Sequence, residues 1–122
     1  MILKKEIIEP LSKELLLPYT GIEQDWDIEM ADSSRIDEFI KFYKDRSLCD
    51  NQKVALMSLI LSSYDDFLNN NNLEVDKRWN EIKSIIKSER LIFVDLVEYW
   101  SLSNEIVQDN FFRITPLLRK LK

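Results

Sequence analysis

Asp50-Asn-Gln-Lys-Val-Ala-Leu-Met-Ser-Leu-Ile-Leu-Ser-Ser-Tyr-Asp-Asp-Phe-Leu68 decides how the rest of the chain is read. Wound as a helix from Lys53, this stretch gathers Val54, Leu56, Met57, Leu59, Ile60, Leu61, Tyr64, Phe67 and Leu68 into an apolar arc of roughly 220°. A surface helix needs about half that width, so this one is expected to run through the middle of a domain. The opposite face holds Ala55, Ser58, Ser62, Asp65 and Asp66. Ala55, Ser58 and Ser62 are small enough for another helix to approach closely. Ser63 falls inside the apolar arc, where its hydroxyl is expected to bond back to the Leu59 carbonyl.

Working outward, the segment before this helix carries the cluster Asp32-Ser33-Ser34, with Asp37 and Glu38 following. That is an N-cap and an acidic first turn, predicting a helix to about Arg46 with Ile36, Phe39, Ile40, Phe42 and Tyr43 as its apolar face. Residues 22–32 alternate apolar and acidic side chains: Ile22, Trp26, Ile28 and Met30 against Asp25, Asp27 and Glu29. A period of two predicts an extended segment or loop lying apolar side down. Residues 2–17 read as a helix through Leu3, Ile7, Leu11 and Leu15, which Pro10 either kinks or restarts. Pro18-Tyr19-Thr20-Gly21 ends it with turn residues.

After the central helix, Asn69–Asn72 reads as a polar loop. Val75, Trp79, Ile82, Ile85 and Ile86 form a stripe of about 120°, the mark of a surface helix over 73–88. Residues 89–100 read as a second buried helix, with Leu91, Asp95 and Glu98 as its exposed strip; Leu91–Val94 alone is also compatible with a strand. Thr115-Pro116 reads as an N-cap and first helical position opening a last helix. The expectation is an all-α fold: a single bundle-like domain over residues 1–122, with five to seven helices around the buried pair 50–68 and 89–100.

Composition narrows the chemistry. A chain of 122 residues with 45% hydrophobic content is globular, able to bury about two-thirds of its unfolded surface. There is no histidine, which removes Ser-His-Asp and Cys-His catalysis and histidine-ligated metals. Cys49 is the sole cysteine and reads as a semi-buried thiol, so neither an internal disulfide nor a cysteine-rich zinc site can form. Met1-Ile-Leu runs straight into Lys4, Lys5 and Glu6, and no run reaches the roughly eighteen apolar residues of a membrane span. A cytoplasmic location with no membrane partner is expected. The net charge of −5 disfavours nucleic acid and fits a basic protein partner.

The apparent motifs fail on geometry. Asp25-x-Asp27-x-Glu29 lacks the glycine and terminal acid of a calcium loop, whose positions hold Met30 and Ile36. Asp66, Glu81 and Lys83 copy a nuclease spacing, but Glu81 and Lys83 diverge by about 160° on a helix. Asp65, Asp66, Asp95 and Glu98 lack the histidines of di-metal bundles. Arg113, Arg119, Lys120 and Lys122 complement a helix dipole. No catalytic residue, metal site or cofactor is expected, and the chain is not read as an enzyme.

What stands out is where the acid lies. Residues 20–40 hold Glu23, Asp25, Asp27, Glu29, Asp32, Asp37 and Glu38 against Arg35 alone, a charge of −6, while the remaining 101 residues balance to +1. These seven acids are the candidate partner-binding residues. Trp26, flanked by acids, joins them as a possible half-exposed interface anchor; the competing reading places it in the core.

Three stretches, Trp26-Asp-Ile-Glu-Met-Ala-Asp-Ser-Ser-Arg35, Ala55-Leu-Met-Ser-Leu-Ile60 and Ile114-Thr-Pro-Leu-Leu-Arg119, resemble a family of small bacterial proteins of the immunity type, encoded beside contact-dependent or other polymorphic toxins. The resemblance implies a cytoplasmic protein that neutralises a toxin domain by binding it, without catalysis. The acidic four-helix immunity proteins against nuclease colicins share only size, charge and helicity, and none of their functional residues transfers. The alternative function is a helical structural or regulatory adaptor, self-associating through an exposed helix face.

Overall fold

The computed structural model describes residues 3–122; Ile2, the expected helix start, lies outside the described residues. The described chain is all-α. It has α1 (Lys5–Glu14), α2 (Trp26–Glu29), α3 (Ile36–Asp45), α4 (Asp50–Asn70), α5 (Arg78–Ser88), α6 (Val94–Ser101), a 3-10 turn (Gln108–Asn110) and α7 (Thr115–Arg119). No strand occurs among the described residues, so Leu91–Val94 is not one. Two compact units divide the chain, one ending at Asp66 and the other running Phe67–Lys122, with the division inside α4.

Helix α4 is buried more completely than its arc requires. Leu56, Met57, Leu59, Ile60, Leu61, Tyr64 and Leu68 are all fully buried, and on the opposite face Ala55, Ser58, Ser62 and Asp65 are buried too, leaving Asp66 exposed. Small residues there let other backbone come close. The helix opens at Cys49, whose N–H donates to the Gln52 side chain and whose carbonyl takes the Lys53 N–H. That pairing closes the first turn. Cys49 itself is exposed rather than semi-buried.

In the first unit, α1 presents Ile8, Leu11, Ser12 and Leu15 inward and runs unbroken through the exposed Pro10. It ends on Leu16 in the left-handed conformation (φ 55°), with the Leu17 N–H on the Ser12 carbonyl and the Leu16 N–H on that of Lys13. This double closure is a Schellman ending, usually made by glycine. Helix α3 starts at Ile36, not at the Asp32–Ser34 cluster. The Asp32 carboxylate instead binds the Ser34 N–H and hydroxyl, and Arg35 is the N-cap without a side-chain capping bond to the helix backbone.

In the second unit, Asn69–Asn72 is more than a loop. Asn69 and Asn70 finish α4, Asn72 is left-handed (φ 51°), and the Leu73 N–H reaches the Leu68 carbonyl at 2.9 Å. Arg113 closes the same helix end, donating to Asn69 Oδ1 (3.2 Å), Asn72 Oδ1 (2.9 Å) and the Leu73 carbonyl (3.3 Å). Helix α5 buries Trp79, Ile82, Ile85 and Ile86, as its stripe predicts, and leaves Val75 outside the helix and exposed.

The second buried helix is smaller than expected. Residues 89–93 form successive turns, and α6 buries Leu96, Trp100 and Ser101 while Val94 and Tyr99 are exposed. Its end is closed by Arg119, which donates to the carbonyls of Ser101, Leu102 and Glu105, each at 2.7 Å, and lies 4.2 Å over the Phe111 ring. Arg119, in the last turn of α7, thus serves the end of α6 as well, and Arg113, outside any helix, serves the turn after α4. Thr115 is the first residue of α7 and not its cap. Its hydroxyl donates to the Trp100 carbonyl (2.9 Å) and accepts the Phe112 N–H.

Two outcomes follow from this packing. Ile60→Asp should destabilise the protein by about 4 kcal/mol or more, because it buries an unpaired charge; denaturant unfolding followed by circular dichroism measures this. Leu16→Gly should raise stability by about 0.5–1 kcal/mol. The left-handed strain it removes, about 1–2 kcal/mol, exceeds the entropic cost of a glycine. The Leu16 side chain is 84% exposed, so little packing is lost.

Candidate functional site

The acidic segment lies wholly in the first unit, and its geometry departs from the alternating reading. Residues 26–29 are a short helix, so the inward residues follow helical spacing: Trp26, Asp27 and Met30 are buried while Ile22 and Ile28 face out. The N-terminal turn explains why. The Glu29 carboxylate accepts the N–H of the N-cap, Asp25, at 2.9 Å and satisfies a group that an extended chain would leave to water.

Two of the candidate partner-binding residues are therefore corrected. Trp26 is 2% exposed and is no interface anchor; its indole N–H donates to Ser12 Oγ at 2.8 Å, and Ser12 in turn donates to the Ile8 carbonyl at 2.7 Å. Asp27, 8% exposed, turns inward and accepts the Ser58 hydroxyl of α4 at 2.7 Å. A carboxylate in that position is kept by its hydrogen bond, not offered to a partner.

The other six acids stay at the surface, and most also hold local structure. Glu23 is half-buried over its own loop, receiving the N–H groups of Thr20, Gly21 and Ile22 and the Thr20 hydroxyl. Desolvation pushes its pKa up, but those bonds, led by the Thr20 N–H, outweigh it and hold the carboxyl at about 2. Asp32 is held below the usual carboxylate range, chiefly by the Ser34 hydroxyl, against some desolvation. Glu38 is lowered by its bond to Arg35, which contacts both carboxylate oxygens (3.0 and 2.5 Å). Asp25, Asp37 and Glu29 are exposed.

Arg35, the single cation of the segment, faces away from any free role. Its guanidinium binds Glu38, donates to the Leu15 carbonyl at the end of α1 (2.5 Å) and lies 5.0 Å from the Phe39 ring centroid. The segment's negative field is consequently left with little internal compensation. Between the acids, Ile22 is 86% and Ile28 48% exposed. Apolar side chains set among carboxylates were the feature missed by reading Ile22 and Ile28 as face-down. The Asp25–Glu29 spacing of four was the signal for a helix start.

Among the described residues no group of three His, Cys, Asp or Glu side chains could hold a metal ion, and no helix is long and apolar enough to cross a membrane. No protein-family model, curated protein or solved structure matches the chain.

The two classes of acid should separate by mutation. Asp27→Ala should cost about 1–3 kcal/mol by removing the partner of a buried hydroxyl, whereas Asp25→Asn should leave the melting temperature within about a degree of wild type. Thermal unfolding of the pair checks the assignment.

Proposed function

We propose that this chain is a non-catalytic binding protein that neutralises a bacterial toxin domain, an immunity protein whose partner surface is basic. The supporting observation is the surface of α2 and its flanks. Asp25 and Glu29 are exposed in the same short stretch as the outward Ile22 and Ile28, and Asp37 and Glu38 are exposed in the first turn of α3. Carboxylates steer a basic partner into encounter, and desolvated apolar side chains then hold it. The two isoleucines take the anchoring role that the sequence assigned to Trp26. Asp27 leaves the interface and instead fixes α2 on α4, which makes the surface a rigid platform. Glu23 and Asp32 contribute field more than contact, since their oxygens are engaged by backbone N–H groups. The resemblance to immunity proteins supplies the partner class, and the cytoplasm is the compartment this reading requires.

The adaptor reading keeps one observation in its favour. Leu91 and Val94, a turn apart, are both exposed in the second unit, and a self-associating protein would cover them. Sedimentation of the pure protein distinguishes the two: the immunity reading expects no dependence of mass on concentration through that face.

The direct test is co-expression with the carboxyl-terminal domain of the adjacent long reading frame. Cells should survive only when this chain is present. The double variant Asp25→Asn, Asp37→Asn should associate about ten-fold more slowly at low salt and lose much of the salt dependence of that rate. Ile28→Ala should chiefly speed dissociation. A neighbour that is harmless alone, or protection and rates untouched in all three variants, overturns the proposal.

A further inference from the structure

The single glycine of the chain sits where three consecutive backbone N–H groups converge. Glu23 Oε1 accepts from the N–H of Thr20 (3.1 Å), Gly21 (2.9 Å) and Ile22 (3.1 Å) and from the Thr20 hydroxyl (2.8 Å). Successive N–H groups turned to one point make a nest, a concavity suited to an anion. Such a turn needs a left-handed residue, which Gly21 supplies at φ 98°. Lys5 stands over the same place, since a Cβ at Gly21 would lie 3.8 Å from its ammonium nitrogen. A cleft of about 290 Å³ adjoins the loop, lined by Lys5, Lys13, Tyr19, Thr20 and Gly21, with Glu9 supplying an acid.

We propose that the loop of residues 20–22 is an oxyanion site whose resident ligand is the chain's own Glu23 carboxylate, and that a free oxyanion takes its place when that carboxylate is removed. The donors set the ligand class. Several N–H groups, a hydroxyl and an ammonium satisfy a group with several acceptor oxygens, such as phosphate, far better than they satisfy chloride. A tethered carboxylate competes at an effective concentration well above that of a dilute free ion, so the wild-type loop stays closed to millimolar phosphate. Glu9 opposes a second negative charge in the cleft, and Lys5 and Lys13 offset it. This inference does not depend on the partner reading above.

The test uses the full chain as wild type, Glu23→Ala and Glu23→Gln, with inorganic phosphate titrated against chloride at constant ionic strength. Glu23→Ala should melt below wild type, and phosphate should recover part of that loss along a saturable curve. The amide resonances of Thr20, Gly21 and Ile22 should be the ones that move. Adding Lys5→Gln should weaken the phosphate response about two- to five-fold, the size of one exposed charge contact. Glu23→Gln keeps a neutral acceptor and so keeps the loop even if the alanine variant does not fold; phosphate should displace the amide and shift the same three resonances. Wild type should not respond. Equal stabilisation of all the proteins by phosphate, shifts scattered over the surface, or two folded variants indifferent to phosphate would each overturn the assignment.

Discussion

A helix buried on both faces must dispose of every polar group it carries, and α4 sets that constraint for the first unit. Its apolar arc needs only close packing, but Ser58 and Ser63 are fully buried as well. Each hydroxyl is met by a different neighbour. Asp27 accepts from Ser58, and the Ser63 oxygen takes the Asp32 N–H at 3.0 Å. Those two bonds bracket residues 27–32 and fix where the acidic segment lies. The charge on the surface is thus positioned by polar groups in the interior, and an unmet hydroxyl there would cost about 1–3 kcal/mol. In the second unit, and among the described residues, the Trp100 indole N–H is buried without a hydrogen-bond partner, beside the Phe112 ring at 4.6 Å.

The arginines follow a common rule. Arg35 reaches the Leu15 carbonyl at the end of α1, Arg113 the end of α4, and Arg119 the end of α6. In each case the cation comes from later in the chain and from another element. A planar guanidinium meets two or three oxygens from a fixed fork of donors spread over three nitrogens, where a lysine offers one rotating point charge. It also brings positive charge to the negative end of the helix dipole. A chain with one glycine has few conventional helix stops, and left-handed Leu16, Asn72 and Leu102 with these arginines take over the task.

This pattern explains what the sequence could and could not show. The α4 core and the Trp79–Ile86 stripe were legible because periodicity is a property of one helix. Helix α2 was misread because four residues are too few to establish a period, and the alternation of Ile22 to Met30 imitates a strand. Thr115 looked like a cap because its hydroxyl was assumed to serve its own helix, whereas it serves the Trp100 carbonyl fifteen residues away. The acids of residues 20–40 were legible as charge but not as neighbours. Which of them turned inward depended on Ser58, and which were engaged depended on backbone amides that only the folded loop assembles.

The arginine closures carry a consequence for biosynthesis. The Ser101 carbonyl that ends α6 gains its guanidinium partner only when Arg119 has left the ribosome, and the Asn69–Leu73 turn that follows α4 only when Arg113 has. Until then the Ser101 carbonyl is left to water, and α6 is too short to persist alone. The end of α6 is therefore not complete when α6 itself has been synthesised. The end of α6 waits for a residue eighteen positions on, as the Leu15 carbonyl after α1 waits twenty positions for Arg35.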